Sequence, residues 1–91
     1  MRLDLFLKAS RLSSRRTLAQ KLCDAARVCI NGNIAKSSHA VKVGDEICIH
    51  RHHSITTIRV LFVPTTRQTS RKEAITLYEV VSEESLEEAE L

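Results

Sequence analysis

Two adjacent arginines at the predicted start of a helix are candidates for binding phosphate. Arg15 and Arg16 directly follow two serines, and the helix dipole disfavours cations at that end by about 0.3–1 kcal/mol each. Phosphate is favoured at the same place, because the free N–H groups of the first turn point outward. The pair therefore predicts a phosphate clamp. The alternative is two long side chains that bend away into solvent.

A second group has the residue types of a metal site. Cys48, His50 and His52 alternate, so on a strand they would share one face. Zinc usually takes four ligands in a tetrahedral array, and the spacing of His53 and His39 places neither at this face. The His-rich run is predicted instead to form a turn whose imidazoles gain charge near phosphate. We expect no metal and no other cofactor.

Catalytic patterns are weak throughout the sequence. Nucleophilic catalysis needs an activated serine or cysteine beside a base, and none of the three cysteines lies in a recognisable site sequence. Among the acids of the first 72 residues, Asp45 is explained as a turn residue, and Asp4 as a helix residue able to pair with Arg2 or Lys8. The chain is therefore predicted not to be an enzyme.

The charge of the chain is strongly divided. Residues 1–72 hold all fourteen Lys and Arg against four acids, a balance of +10, whereas residues 73–91 hold seven Glu and no Lys or Arg, a balance of −7. A body this basic indicates a polyanionic partner, RNA or DNA, with a surface tuned for solubility as the alternative. Only three aromatic residues are present, which argues against a platform that stacks single-stranded bases.

The cysteines and the apolar pattern predict a cytoplasmic protein. Three cysteines are an odd number, the sequence opens directly into an amphipathic helix, and no apolar run approaches the 18 residues or so of a membrane span. We therefore expect reduced thiols and no membrane contact. Cys23 and Cys29 are predicted to be small buried hydrophobic residues.

Two helices are predicted before residue 27. Leu3, Phe6 and Leu7 have helical spacing and form the buried stripe of the first helix. Ser13 or Ser14 is predicted to cap the second helix. The buried stripe of that helix is predicted from apolar residues at helical spacing: Leu18, Leu22 and Ala25 or Ala26, with Ala19 and Cys23 beside them.

Strands are predicted to follow. Arg27–Ile30 and Ile34–Lys36 flank Asn31-Gly32, a pair that tolerates the positive φ angles of a tight hairpin. A second turn at Val43–Glu46 leads into a strand at Ile47–Ile49. That strand is predicted to pair with a β-branched run, Ile55–Val63, across the His-rich turn.

Three regions are predicted along the chain. Residues 1–63 form the main domain, and residues 64–81 add a polar loop, Thr65–Ser70, and a helix, Arg71–Tyr78. The last region, Ser82–Leu91, is predicted to be an acidic frayed helix or tail. The tail either solubilises the chain or screens its basic face from RNA.

Several short motifs in this order resemble the S-four RNA-binding domain, named after small-subunit ribosomal protein four. They are Arg2-Leu3-Asp4-x-Phe6-Leu7, Arg16-x-x-Ala19, Val28-x-Ile30-Asn31-Gly32, Lys36 and Val43-Gly44-Asp45-x-Ile47. The resemblance implies an α+β fold, in which two N-terminal helices pack on a small, mainly antiparallel sheet, with a short C-terminal helix. One departure is Ala26, because many members have glycine there to end the second helix in a left-handed turn.

Among stand-alone members, the chain resembles the RqcP (YabO-like) ribosome quality-control factors. This resemblance implies binding to ribosomal RNA of the large subunit and to peptidyl-tRNA, and work with an NEMF-type factor (RqcH) in adding alanine tails to stalled nascent chains. It also implies that Arg2 and Arg16 are the principal RNA contacts. The supporting basic residues would be Lys8, Arg11, Arg15 and Lys36, to which the His-rich turn adds Arg51. A monomer is expected.

Three alternatives stay open from the sequence. The chain could act as a heat-shock-type factor that recycles free large subunits with trapped nascent chains. It could be a general structured-RNA or DNA-binding module, because two helices before a hairpin imitate a helix-turn-helix. The last alternative is a small metal-binding or enzymatic protein built on the face of Cys48, His50 and His52.

Overall fold

A five-stranded antiparallel sheet carries two helices of the N-terminal part of the chain. The computed structural model describes residues 1–65 and 69–85. Within them the elements are α1 (Leu3–Ala9), α2 (Arg16–Asp24), β1 (Val28–Ile30), β2 (Asn33–Ile34), β3 (Glu46–His50), β4 (Ser54–Val60), α3 (Arg71–Ala74) and β5 (Tyr78–Ser85). The predicted α+β class is therefore confirmed.

The sheet has the strand order β2-β1-β3-β4-β5, and every neighbouring pair is antiparallel. Side chains alternate between the two faces of a strand, so one face collects the apolar residues. Its buried members join those of α1 and α2 in one core: Val28, Ile30, Ile47, Ile49, Ile58, Val60, Leu3, Phe6, Leu7 and Ala19. The predicted pairing of β3 with β4 is confirmed, with Ile47 opposite Ile58.

Two turns at one end of the sheet are bonded to each other. Asn31 and Gly32 have φ angles of 52° and 88°, which confirms the predicted tight hairpin. The Asn31 side-chain amide donates to Asp45 Oδ1 at 3.1 Å, and the Glu46 N–H donates to Asn31 Oδ1 at 3.0 Å. Asp45 Oδ2 in turn accepts from the Lys42 N–H at 2.9 Å. The turn signals that are 14 positions apart in the sequence thus form one unit.

The other face of the sheet is half exposed. Cys29 and Cys48 lie directly opposite each other on this face, and both are partly exposed thiols. The prediction that Cys29 is buried is therefore wrong, because its neighbours Val28 and Ile30 take the core-facing positions of β1. Further along, Arg59 is paired with two carboxylates of adjacent strands, Glu46 and Glu79.

The C-terminal part of the domain differs from prediction. The helix predicted at Arg71–Tyr78 ends after one turn at Ala74, and β5 follows. β5 pairs with β4 along its length, from Tyr78 opposite Val60 to Ser85 opposite Ser54. The physical reason is that β4 would otherwise leave its backbone groups unpaired, and the aromatic and β-branched residues of β5 suit a strand. The first four residues of the predicted acidic tail, 82–85, belong to β5, and 86–91 lie outside the described residues.

The second helix also differs from prediction. Arg15, not Ser13 or Ser14, occupies its N-cap position, without a side-chain cap. The buried residues of α2 are Ala19 and Cys23, whereas Leu18 is 43% exposed. Small side chains at the contact allow α2 to pack closely, which leaves the larger Leu18 outside the core.

The thiol of Cys23 is part of that contact. Burial raises its pKa to about 11, helped by the negative charges of Asp4 and Asp24. At neutral pH the sulfur therefore stays protonated, and reactivity follows the thiolate. Cys23 is a small buried hydrophobic residue, as predicted.

No helix among the described residues has the length and apolar character that a membrane crossing needs.

The end of α2 has the left-handed turn even though glycine is absent. Ala26 adopts a φ of 60°, and the turn is closed by hydrogen bonds from the Ala26 and Arg27 N–H groups to the carbonyls of Cys23 and Leu22. An L-residue in this region costs about 1–2 kcal/mol, because its Cβ crowds the backbone. The turn is retained at the expense of local strain.

Replacing Ala26 with glycine should raise the free energy of unfolding by about 1 kcal/mol, because glycine adopts this φ without the Cβ clash. Urea denaturation measures the change. The matched control is Ala25→Gly, since Ala25 has a φ of −86° and glycine there should destabilise by about 0.5–1 kcal/mol. Equal loss of stability in both variants would contradict the strain at Ala26.

Candidate nucleic-acid interface

A buried carboxylate organises the basic surface of the helices. Asp4 is fully buried, and its oxygens accept hydrogen bonds from Arg2 Nε at 3.0 Å, Arg2 Nη2 at 3.2 Å and Arg16 Nε at 3.1 Å. Gln20 Nε2 adds a bond of 3.0 Å, and the Leu5 N–H adds one of 2.8 Å. We refer to Arg2, Asp4, Arg16 and Gln20 as the Asp4 cluster.

The secondary structure explains how this cluster forms. Arg16 and Gln20 are four residues apart on α2, so they lie on the same face of that helix. Asp4 lies in the first turn of α1. The carboxylate therefore joins the N-terminal parts of both helices.

A loop after β2 lies against the beginning of α1. The Leu3 N–H donates to the His39 carbonyl at 2.8 Å, and the Asp4 N–H donates to the Ser37 carbonyl at 3.1 Å. Arg2 also forms an isolated antiparallel bridge with Ala40. These bonds bring the 36–40 segment, with Lys36 at its start, beside the Asp4 cluster.

The cluster keeps its carboxylate ionised. Burial alone raises the pKa of Asp4, but the hydrogen bonds from Gln20, Arg16 and Arg2 outweigh it and hold the pKa below its ordinary value. One negative charge then faces two guanidinium groups, so the cluster carries a net positive charge. The arginine side chains are 42% and 40% exposed, and can therefore also reach a ligand in solvent.

The structure brings together some of the predicted site residues. Arg2 and Arg16 share Asp4, and Arg15 is exposed beside Arg16 at the N-cap of α2. Lys36 is exposed next to Ser37, whose carbonyl touches α1. Arg2 and Arg16 thus meet at Asp4, while Arg15 and Lys36 are each next in sequence to a residue that contacts the start of α1. Among them the arginines are best suited to bind phosphate, because a guanidinium group can donate two parallel hydrogen bonds to one phosphate.

The other predicted residues have different positions. Lys8 lies half-buried in the last turn of α1. Arg11 Nη2 donates to the Thr69 carbonyl at 3.0 Å, and Arg51 Nη2 donates to the Leu12 carbonyl at 2.6 Å. Arg11 and Arg51 thus attach the loop between α1 and α2 to later parts of the chain.

The sequence patterns did not assign Asp4 or Gln20 to the binding site. Asp4 was predicted to pair with Arg2 or Lys8; the pair with Arg2 is confirmed, and Arg16 takes the place of Lys8. Gln20 lies four residues after Arg16, so helical spacing places both on one face of α2, but this spacing does not predict its hydrogen bond to Asp4. The Asp4–Arg16 bond joins residues 12 positions apart, so no local spacing rule predicts it. The rarity of acids in a basic body was the one available signal.

The structure places Cys48 and His50 in β3 and His52 in the turn that follows it. Within residues 1–65 and 69–85, no three His, Cys, Asp or Glu side chains are arranged to hold a metal ion. In the β3–β4 pair, Cys48 lies opposite Thr57 and His50 lies opposite Ile55.

Comparison with known families agrees with this geometry. The family model of the S4 domain matches residues 1–47, just over half of the chain. The chain therefore belongs to the S4 domain family, as the motifs predicted. Each element of the Asp4 cluster lies within the matched part.

Curated relatives extend the similarity over the whole length. The chain is 47% identical over 91 residues to the RQC P-site tRNA stabilizing factor of Halalkalibacterium halodurans, covering 99% of this chain and 100% of that one. It is 46% identical over 88 residues to the Bacillus subtilis protein of the same name, covering 97% and 100%.

Solved structures with a similar fold include a heat-shock protein. Heat Shock Protein 15 of Vibrio cholerae, described as a trimer, has a TM-score of 0.82 at 32% identity, covering 90% of this chain and 82% of that one. A hypothetical protein, HP1423, has a TM-score of 0.79 at 34% identity, covering 90% and 98%.

Replacing Asp4 with asparagine should destabilise the fold by about 2–3 kcal/mol, because two guanidinium groups lose their anion while a buried polar group remains. Chemical denaturation at pH 7 measures this. Asp24→Asn is the control, since Asp24 is an exposed acid on α2 and should change stability little. Equal effects would contradict the central role of Asp4.

The contribution of Asp4 should also depend on pH in one direction. Its folded pKa lies below the ordinary value of 3.8, so its stabilisation is complete above that value and is lost as the pH falls through the folded pKa. The stability difference between wild type and Asp4→Asn should therefore shrink below about pH 3.8. A difference that stays constant down to acid unfolding would disprove this linkage.

Proposed function

We propose that this chain is an RNA-binding protein of ribosome-associated quality control, which stabilises peptidyl-tRNA in the P site of the large ribosomal subunit. The observation that carries the proposal is the Asp4 cluster, which fixes two exposed arginines at the basic end of an S4 domain. The name shared by relatives of 37–47% identity supports the ribosomal partner.

Recognition is proposed to follow the shape of RNA without reading its sequence. A-form RNA hides its base edges in a deep groove, so phosphates, 2′-hydroxyls and loop geometry are the features a protein can contact. Asp4 holds one edge of each guanidinium group, which reduces the side-chain entropy lost on binding. Arg16 has no Nη hydrogen bond to another described residue, and its fork is thus free for phosphate oxygens.

The predicted residues take graded roles in this proposal. Arg2 and Arg16 are the principal contacts, because the Asp4 cluster orients both. Lys8, Arg15 and Lys36 add positive charge around them. Arg11 and Arg51 each keep part of their guanidinium group for RNA while the rest holds the loop between α1 and α2.

Partners beyond RNA are proposed from the same resemblance. The chain would work as a monomer in the cytoplasm beside an NEMF-type factor (RqcH), and would support alanine-tail elongation of stalled nascent chains. A second candidate function is recycling of free large subunits with trapped nascent chains. The likeness to Heat Shock Protein 15 favours this second function.

Replacing Arg16 with alanine should weaken association with large subunits that carry peptidyl-tRNA by about tenfold to a hundredfold, since a charge-assisted contact contributes about 1.5–3 kcal/mol. Sucrose-gradient co-sedimentation measures the association. Arg59→Ala is a matched control, because it too removes an arginine that is paired with carboxylates, here Glu46 and Glu79, but one that lies on the sheet.

Arg16→Ala also removes a partner of Asp4, so a thermal melt must show that the variant is folded at the assay temperature. The salt dependence gives a second reading: the slope of log affinity against log salt should become shallower by about 1 in this variant. If a folded Arg16→Ala protein sediments with large subunits as wild type does, the proposed RNA contact of Arg16 is wrong.

Loss of this protein should shorten alanine tails if the quality-control function is correct. The comparison is between cells lacking the gene that are complemented with wild type, Arg16→Ala or Arg59→Ala, with the tails on a stalled reporter measured by mass spectrometry. Wild type and Arg59→Ala should restore the tails and Arg16→Ala should not. Normal tails without the protein would favour the recycling function.

A further inference from the structure

An apolar groove with a basic rim lies beside α2. Its volume is about 490 Å³, and it is bounded by α2, the loop between α1 and α2, and the turn between β3 and β4. Leu12, Leu18 and Leu22 give it an aliphatic floor, while Lys21, Arg27 and Arg51 supply cations at its edge. Every residue that lines it in the described part of the chain is neutral or basic.

The groove is separate from the Asp4 cluster. Residues two positions apart on a helix point about 200° away from each other, so Leu18 and Leu22 lie on the side of α2 opposite to Arg16 and Gln20. Leu18 is 43% exposed, although it lies within a helix whose smaller residues are buried. Leu18 therefore offers apolar surface that an apolar side chain of a partner could cover.

The chemistry of the groove favours a peptide over RNA. Nucleotide bases are held by stacking on aromatic rings or guanidinium planes. Such groups are present in the lining at His50, His52, Arg27 and Arg51, but Leu12, Leu18 and Leu22 make the floor itself aliphatic. Aliphatic floors suit the apolar face of an amphipathic helix, whose anchors recur at i, i+3, i+4 and i+7. The cations at the edge suit carboxylates on the flanks of that helix.

We propose that this groove binds an acidic amphipathic helix of a partner protein. Leucine-type anchors of the partner fill the floor at Leu18 and Leu22, and its glutamates or aspartates face Lys21 and Arg27. This goes beyond the proposed function, because it assigns a protein partner to the face of α2 that lies opposite the Asp4 cluster and holds none of the RNA contacts proposed for that helix. The two opposite faces of α2 then hold an RNA and a protein at the same time.

The test uses a fluorescent peptide of glutamate with leucine at positions i, i+3, i+4 and i+7, followed by anisotropy with the full chain. Leu18→Glu should weaken binding by about tenfold or more, as expected for the loss of a central apolar anchor. Ile75→Glu is the matched control, because Ile75 is 69% exposed outside the groove, and it should bind like wild type. Lys21→Glu is a second variant, which should weaken binding most at low salt.

Three outcomes would overturn the proposal. A peptide with serine in place of leucine that binds equally well shows attraction by charge alone. Leu18→Glu protein that loses the large subunit as Arg16→Ala does shows that the groove belongs to the RNA interface. Peptide binding that begins only after residues 86–91 are removed shows that the chain's own glutamate-rich end is the occupant.

Discussion

The buried carboxylate of Asp4 is the interaction on which the arrangement of the helices depends. A charge removed from water must be paired and hydrogen-bonded to be tolerated. The donors to Asp4 come from three places in the N-terminal half of the chain, and all three must be in position for the carboxylate to be satisfied. Arg2 comes from the residue before α1, Arg16 and Gln20 come from α2, and the Leu5 N–H comes from α1 itself. The packing of α1 beside α2 and the positions of the two arginines are therefore linked through one carboxylate.

The short second helix separates three environments within nine residues. Ala19 and Cys23 pack into the core, Arg16 and Gln20 reach the Asp4 cluster, and Leu18 with Leu22 lines the groove. The helical period makes this separation possible, because each set recurs at four-residue spacing. Small residues on the core side bring the helix close to the body, while Leu18 is left exposed and Leu22 is partly buried against the core.

Sequence patterns predicted the local structure better than the contacts between distant residues. The Asn31-Gly32 hairpin, the stripe of α1 and the pairing of β3 with β4 follow from turn chemistry and side-chain periodicity, and all three are present. The strand β5 was missed because pairing with β4 outweighed the helical pattern after Arg71. Leu18 was misplaced because hydrophobicity alone does not say which apolar stripe of a helix faces the core. The partnership of Asp4 with Arg16 is tertiary, and spacing carries no information about it.

The hydrogen bonds of the Asn31 side chain with Asp45 and Glu46 couple the stability of two turns. The two side chains and the Glu46 N–H form a closed network between turns that are far apart in the sequence. Residues in one network do not contribute independently to stability. Once one member of this network is removed, the other has already lost its partner, and its own removal then costs less. The two turns are therefore energetically coupled, and the sequence at one of them restricts which changes the other can tolerate.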